Sequence, residues 1–279
     1  MRVLITGAAG NLGRGLTDRL ASRHDLRLAD LVPMETTQPF VQLDVRQPQP
    51  YVDAAAGVDL IVHTPAWHGI HLRTRTEREF WELNVDGTFN LFQAAVANQV
   101  PRVVWISSVA VHNRDNIYGF SKVLGEELCQ FYFQVHGIRC IMLRPADFTP
   151  YRGRKHYGER LLRGGVDRRD VSQAAALAVD NATITCAAFP VLRADPWTPE
   201  DVEVWRQDPL AVLEHYVPQA RELVTRYGLQ LPEQIEVPDI SATRNALGYQ
   251  PQHNFVSFLQ ELAEREQVGD AAVWLAKAD

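Results

Sequence analysis

An α/β fold built on a doubly wound parallel sheet is predicted from three observations. Short apolar runs alternate with amphipathic stretches at βαβ spacing. The first run, Val3-Leu4-Ile5, lacks the apolar–polar alternation of a half-exposed strand, as expected for a strand buried on both faces. A glycine-rich turn, Gly7-Ala8-Ala9-Gly10-Asn11-Leu12-Gly13, joins that run to the first amphipathic stretch. Together they describe a Rossmann-type sheet over residues 1–145, with later elements near 170–192 contributing to it. Residues 146–279 are expected to form a small, mostly helical C-terminal lobe.

The elements follow in order. Arg2–Thr6 reads as the first strand and 12–22 as the first helix. Leu26-Arg27-Leu28-Ala29 is the second strand, ending on Asp30, and Val41-Gln42-Leu43 the third, ending on Asp44. Leu60-Ile61-Val62-His63 is the fourth. A single long helix is expected over 77–98, a fifth strand over 102–106, a helix over 118–135 and a sixth strand over 140–143. Residues 146–169 are polar, carry six arginines and read as irregular. A helix is expected over 170–179 and a strand over 184–191. The insert 194–236 reads as two or three helices broken at Pro199, Pro209 and Pro218. Gly248 stops a further helix, and a last amphipathic helix begins at Asn254.

The bulk numbers exclude several classes. At 279 residues the chain can bury a full core, and 46% hydrophobic with 22% charged residues is ordinary for a globular protein. A net charge of −6 gives no reason to expect a nucleic-acid partner. No apolar run approaches the roughly 20 residues that span a bilayer, so no membrane partner is expected. The chain runs directly into a strand, which leaves no room for a signal peptide and makes cytoplasmic the default. Cys129, Cys140 and Cys186 are scattered, and no His/Asp/Glu set has metal-site spacing, so no metal is expected.

The glycine turn points to a dinucleotide. Small residues between strand and helix let backbone N–H groups approach a pyrophosphate at the helix N-terminus. Asp30 lies 17 residues after Gly13, at the end of the second strand, where a carboxylate holds a ribose 2′-OH and repels a 2′-phosphate. NAD is therefore expected rather than NADP, although Arg27 and Arg46 are close in sequence. Asp44 is a candidate for the adenine amino group or a helix N-cap.

Tyr118 and Lys122, in Tyr118-Gly119-Phe120-Ser121-Lys122, lie four apart on a helix and so share a face. The ammonium favours phenolate, which allows the tyrosine to exchange a proton near neutral pH. Ser107-Ser108 ends the strand just upstream, and alternation lets only one of the two hydroxyls point at the site. A dinucleotide turn with a Tyr/Lys pair suggests hydride transfer.

Several stretches in order resemble the extended short-chain dehydrogenase/reductase family of the NAD-dependent epimerase/dehydratase type. They are Thr6–Gly13, Leu43-Asp44-Val45, His63-Thr64-Pro65-Ala66, Asn84-Val85-Asp86-Gly87-Thr88, Ser107–Val111 and Tyr118–Lys122, with Leu143-Arg144-Pro145, Asp239-Ile240-Ser241 and Leu247-Gly248-Tyr249 later. The resemblance implies that Ser108 hydrogen-bonds the substrate oxygen and that Tyr118 is the general base or acid. It also implies that Lys122 lowers the phenol pKa and binds the nicotinamide ribose, and that Asn84 supports the helix carrying this network. Cofactor-binding positions are then Gly7, Gly10, Asn11, Leu12, Gly13, Asp30, Asp44, Val45 and Lys122. Family members commonly pair through their two long helices, so a homodimer is expected.

The segments 109–117 and 146–169 are short, which argues against a nucleotide sugar and for a small polar substrate. The compact members that oxidise free uronates are the most similar, through 26–31 and the region after Arg144. By that resemblance an arginine there, Arg160, would clamp a carboxylate. Trp67 and His68 follow the fourth strand, at the sheet edge where ligands bind, and are further substrate candidates. The expected activity is NAD-dependent oxidation or reduction of a sugar, sugar acid or polyol. The alternatives are a sugar epimerase or dehydratase that returns the hydride, and a non-catalytic NAD(H)-binding protein.

Overall fold

The computed structural model describes residues 1–278 and divides into two compact units. Unit 1 comprises 1–145, 171–190 and 247–249; unit 2 comprises 146–170, 191–246 and 250–279. Among the described residues seven strands form one sheet: β1 (Arg2–Thr6), β2 (Asp25–Asp30), β3 (Phe40–Gln42), β4 (Leu60–His63), β5 (Arg102–Ile106), β6 (Arg139–Pro145) and β7 (Cys186–Val191). Their order is β3-β2-β1-β4-β5-β6-β7, and the ladders from β3 through β6 are parallel. The order reverses between β1 and β4, which sets a ligand crevice at the carboxyl ends of those two strands. β1, β4 and β5 are buried along almost their whole length, which is why they read as unbroken apolar runs.

Helices α1 (Asn11–Leu20), α2 (Pro48–Ala54), α3 (Glu77–Phe80), α4 (Gly87–Ala97) and α5 (Ile117–His136) belong to unit 1. The stretch expected as one helix over 77–98 is interrupted: Trp81–Asp86 forms a π-helical turn between α3 and α4. Its extra residue per turn reorients Asn84, and such bulges recur at functional sites. β3 ends at Gln42, two residues before Asp44, so Asp44 sits in the loop beyond the strand. The α4–α5 layer packs on the sheet around Trp105, Phe92 and Tyr132. The Trp105 ring lies against Gly125, where an added Cβ would come within 2.2 Å of the indole. Glycine at this position lets α5 lie close on β5.

In unit 2, α6 (Arg154–Leu162) lies inside the segment expected to be irregular. The sequence hid it because Glu159 and Arg160 are buried together with Tyr157, Leu161 and Leu162, so no clean apolar stripe marks the helix. α7 (Arg168–Asp180) leads back into unit 1. Unit 2 continues with α8 (Pro199–Trp205), α9 (Pro209–Tyr216) and α10 (Ala220–Tyr227). Pro199 and Pro209 start helices rather than breaking them: Thr198 and Asp208 cap the N-termini, and proline suits the first helical position. After α11 (Ser241–Leu247) come α12 (Phe255–Val268), capped by Asn254, and α13 (Ala271–Ala276). Trp197 and Trp205 belong to the core of unit 2, with Tyr216 and Tyr227 packed against it. Among the described residues no helix is long and apolar enough to cross a membrane.

Candidate active site

The glycine turn lies between β1 and α1. Gly7 takes φ +74°, and a Cβ on Gly13 would fall 2.3 Å from the Gly7 carbonyl oxygen, so the turn closes only with glycine there. Gly10 occupies the N-cap of α1, and no side chain caps that end. An uncapped N-terminus with small residues around it suits the pyrophosphate of a dinucleotide. Asp30 closes β2 beside this turn. Its Oδ2 accepts from Ala9 N–H at 2.9 Å and its Oδ1 from Val32 N–H at 2.9 Å. The carboxylate is thereby fixed, with lone pairs left for two ribose hydroxyls.

Neither neighbouring arginine opposes that reading. Arg27 donates to the carbonyls of Ala54 and Ala56, at 2.7 and 2.8 Å. Arg46 is bound through Nε and Nη2 to the Asp44 carboxylate, which holds the Asp44 pKa below the usual carboxylate value. Asp44 therefore faces a cation and is not a helix cap, a position taken by Gln47. Val45 is buried against Gly87, and its carbonyl accepts from Asn90 at 3.0 Å.

Asn84 ties the Trp67 loop to α5. Its Oδ1 accepts from Trp67 N–H at 2.8 Å, and its Nδ2 donates to Trp67 O and to Ser121 Oγ, each at 3.0 Å. Ser121 Oγ in turn donates to the Tyr118 carbonyl at 2.7 Å. Asn116, two residues before Tyr118, caps α5 by accepting from Gly119 N–H at 3.0 Å. The Tyr118 ring stands edge-on to His68 at 6.2 Å, with Phe80 at 6.5 Å. Trp67 packs against His71 and beneath the Arg75 guanidinium, 4.3 Å from the ring centre. Trp67 and His68 thus sit beside Tyr118.

Lys122 is buried at 4% exposure. Its Nζ donates to the Ile106 carbonyl at 2.8 Å, at the end of β5, and lies 4.8 Å from the Trp105 ring centre. Burial pulls its pKa down to about 7, against the opposing pull of Glu126 and Cys129. The two serines that follow β5 are used differently. Ser107 Oγ donates to Glu126 Oε1 at 2.5 Å, while Ser108 Oγ accepts from Ala110 N–H at 3.1 Å. Ser108 therefore keeps its hydroxyl hydrogen for another acceptor. Glu126, which the sequence reading passed over, also binds Arg144 through both oxygens, at 2.6 and 2.8 Å. Its position one helical turn after Lys122 is the signal that marks it. At the ends of β1 and β4, His63 Nδ1 meets Thr6 Oγ1 and Tyr51 OH, and burial drives its pKa down to about 3.

Arg160 lies in unit 2. Its guanidinium donates to the Thr149 carbonyl and stands near the Tyr151 and Tyr157 rings. No group of His, Cys, Asp or Glu among the described residues could hold a metal ion.

Comparison with known proteins agrees with this geometry. L-arabinose 1-dehydrogenase (NAD(P)(+)) of Haloferax volcanii is 30% identical over 177 residues, covering 51% of this chain and 65% of that protein. Uronate dehydrogenase of Pseudomonas putida is 31% identical over 172 residues, covering 53% and 62%. The matches thus span somewhat under two thirds of these relatives' lengths. A crystal structure of a uronate dehydrogenase mutant from Agrobacterium tumefaciens, complexed with NAD, superimposes with a TM-score of 0.66 at 25% identity, covering 94% of this chain and 89% of that one. The family defined as the NAD dependent epimerase/dehydratase family matches residues 3–177. This chain belongs to the NAD-dependent epimerase/dehydratase family.

Proposed function

We propose that this chain is an NAD-dependent oxidoreductase acting on a secondary alcohol or ketone of a small polar substrate, a sugar or sugar acid. The observation that carries this reading is Lys122: a buried ammonium, one turn after Tyr118, bound to the Ile106 carbonyl two residues before Ser108. A charge so costly to bury is retained where it acts on a neighbour. Gly7, Gly10, Asn11, Leu12, Gly13 and Asp30 would hold NAD, with Asp44, Val45 and Lys122 completing its site. Bound NAD would supply the hydride acceptor. The Ser108 hydroxyl donates to the substrate oxygen, and the Tyr118 phenolate takes the proton from that oxygen. The Lys122 ammonium favours the phenolate, and Asn84 holds the Trp67 loop and α5 in register. Trp67 and His68 would contact the substrate. The names of the two curated dehydrogenases support a sugar or sugar acid.

Phe89 and Val96 on α4, with Phe120, Phe131 and Val135 on α5, are large exposed apolar residues on the two long helices. Such a patch supports pairing of two copies through these helices. Three free thiols support a reducing, cytoplasmic setting.

The test is NADH formation with a panel of aldoses and uronic acids. Stoichiometric NADH, abolished in Tyr118→Phe, is expected. A Tyr118→Phe variant that keeps full turnover would overturn the assignment.

A further inference from the structure

The loop that follows β4 is held on the Tyr118 ring by hydrogen bonds rather than by burial. No residue from 67 to 75 is fully buried, and Ile70 and Leu72 are 58% and 38% exposed. Yet the loop meets the ring directly. His68 stands edge-on to Tyr118, with 6.2 Å between ring centres. A Cβ on Gly69 would fall 3.6 Å from Tyr118 Cδ1, in ordinary van der Waals contact. A segment with so few buried apolar contacts is not fixed by packing, so its place depends on polar anchors.

Both ends of the loop have such anchors. Asn84 takes the N–H and the carbonyl of Trp67, at 2.8 and 3.0 Å. Arg75 donates to Glu79 of α3 at 2.8 Å and lies 4.3 Å from the Trp67 ring centre. Between them stands His71. Its Nδ1 accepts from His68 N–H at 3.0 Å, and its carbonyl accepts from Thr74 N–H and Arg75 N–H, both at 2.9 Å. Its ring meets the Trp67 ring edge-on, with 5.0 Å between centres. One residue thus closes the turn back onto His68 and forward onto Arg75. An N–H donates to Nδ1 only when that nitrogen carries no proton, so the neutral ring holds its proton on Nε2. Partial burial, with the Arg75 cation adding to it, lowers the His71 pKa below its ordinary value, which keeps the ring neutral at pH 7.

We propose that His71 is a positioning residue for the reaction at Tyr118: by accepting the His68 N–H it locks the turn that seats His68 and Gly69 against the phenol ring. His71 acts through these two residues and does not itself meet the substrate in this role. Proton transfer to the phenolate needs the ring in one orientation towards the substrate oxygen. Contacts with Phe80, at 6.5 Å, and with the 68–69 segment restrict that orientation. The role rests on the dehydrogenase reading proposed above, whereas the seating of the ring is measurable without turnover, so the two can fail separately.

The experiment compares the full chain with His71→Phe, which keeps a ring and removes the acceptor, and with His71→Asn, whose Oδ1 can stand where Nδ1 stands. Circular dichroism of each reports folding. The first readout is the set of Tyr118 ring resonances in the carbon-13 spectrum, assigned by their loss in Tyr118→Phe. The second is kcat with a sugar or uronic acid that the parent oxidises. His71→Phe is expected to move the Tyr118 resonances and to lower kcat about tenfold, as a small misplacement of a reacting group does. His71→Asn is expected to keep the parent resonances and to recover most of kcat. A nitrogen-15 spectrum of the parent at pH 7 is expected to show His71 protonated on Nε2. Unmoved Tyr118 resonances in a folded His71→Phe, a His71→Asn as impaired as His71→Phe, or a proton on Nδ1 would each overturn the proposal. If the parent oxidises no sugar or sugar acid, the dehydrogenase reading falls, and the two spectra decide whether the lock stands.

Discussion

Ser107 donates its hydroxyl hydrogen to Glu126 at 2.5 Å, on the same carboxylate that holds Arg144 at 2.6 and 2.8 Å. Two adjacent serines after one strand are thereby separated in role: one hydroxyl is consumed by a half-buried ion pair, the other is not. Ser108→Ala should lower kcat/KM by about 100-fold, the usual cost of losing one donor to a reacting oxygen. Ser107→Ala should cost about 1 kcal/mol of stability and change kcat/KM by no more than about threefold. Steady-state kinetics on both variants check this, and the reverse ranking would exchange their roles.

Lys122 sets a pH dependence of stability. Burial lowers its pKa from 10.5 to about 7 in the folded chain. Between those values the unfolded chain holds the proton and the folded chain does not, so this group's contribution to stability rises with pH. Below about 7 both states are protonated and the full burial penalty applies. Urea unfolding of the parent and Lys122→Met apoproteins should show their difference moving in the parent's favour from pH 7 to 10, by up to about 1.4 kcal/mol per pH unit. A difference that stays constant across that range would show that the ammonium carries no such penalty.

Gly125→Ala should misplace α5. The added Cβ meets the Trp105 indole at 2.2 Å, and Lys122, one turn earlier on α5, stands over the same ring at 4.8 Å. Overpacking costs about 1–3 kcal/mol and lifts α5 from β5, so both stability and kcat should fall. Trp105→Phe removes the clashing ring, and the double variant should recover part of both losses. Additive effects in this cycle would mean the two positions are uncoupled.

The centre of the sheet was legible in the sequence because β1, β4 and β5 are buried on both faces and read as apolar runs. The Gly7–Gly13 turn, Asp30, Tyr118 and Lys122 stood out as candidates because each sits at an element end or at helical spacing, whereas Asn84 and the choice of Ser108 over Ser107 came from the family resemblance. The rest was hidden by physics that single-sequence patterns do not carry. Residues 154–162 bury Glu159 and Arg160, so the helix there shows no apolar stripe. The π-helical turn at Trp81–Asp86 keeps helical composition while changing where Asn84 points. The role of Ser107 depends on a contact with Glu126 across 19 residues that no local pattern records.

Asp30 should govern the choice between NAD and NADP. Both its oxygens are held by backbone N–H groups, from Ala9 and Val32, so the negative charge cannot swing away from the turn. Arg27 and Arg46, the arginines that could have accepted a 2′-phosphate, are tied to backbone carbonyls and to Asp44 respectively. A 2′-phosphate entering here meets a fixed carboxylate and no available guanidinium from these two. Asp30→Asn replaces one acceptor oxygen with an NH2 group, which must face either the Ala9 or the Val32 N–H and leaves that donor unpaired. The variant should bind NAD about tenfold more weakly and narrow the NAD/NADP preference by about the same factor, since charge-assisted hydrogen bonds are worth about 1.5–3 kcal/mol. Asp30→Ala should narrow the preference further, by removing both the charge and the acceptor. Dissociation constants for NAD and NADP, measured by titration of each variant, read this directly. An unchanged ratio in Asp30→Ala would move the discrimination to another residue of the turn.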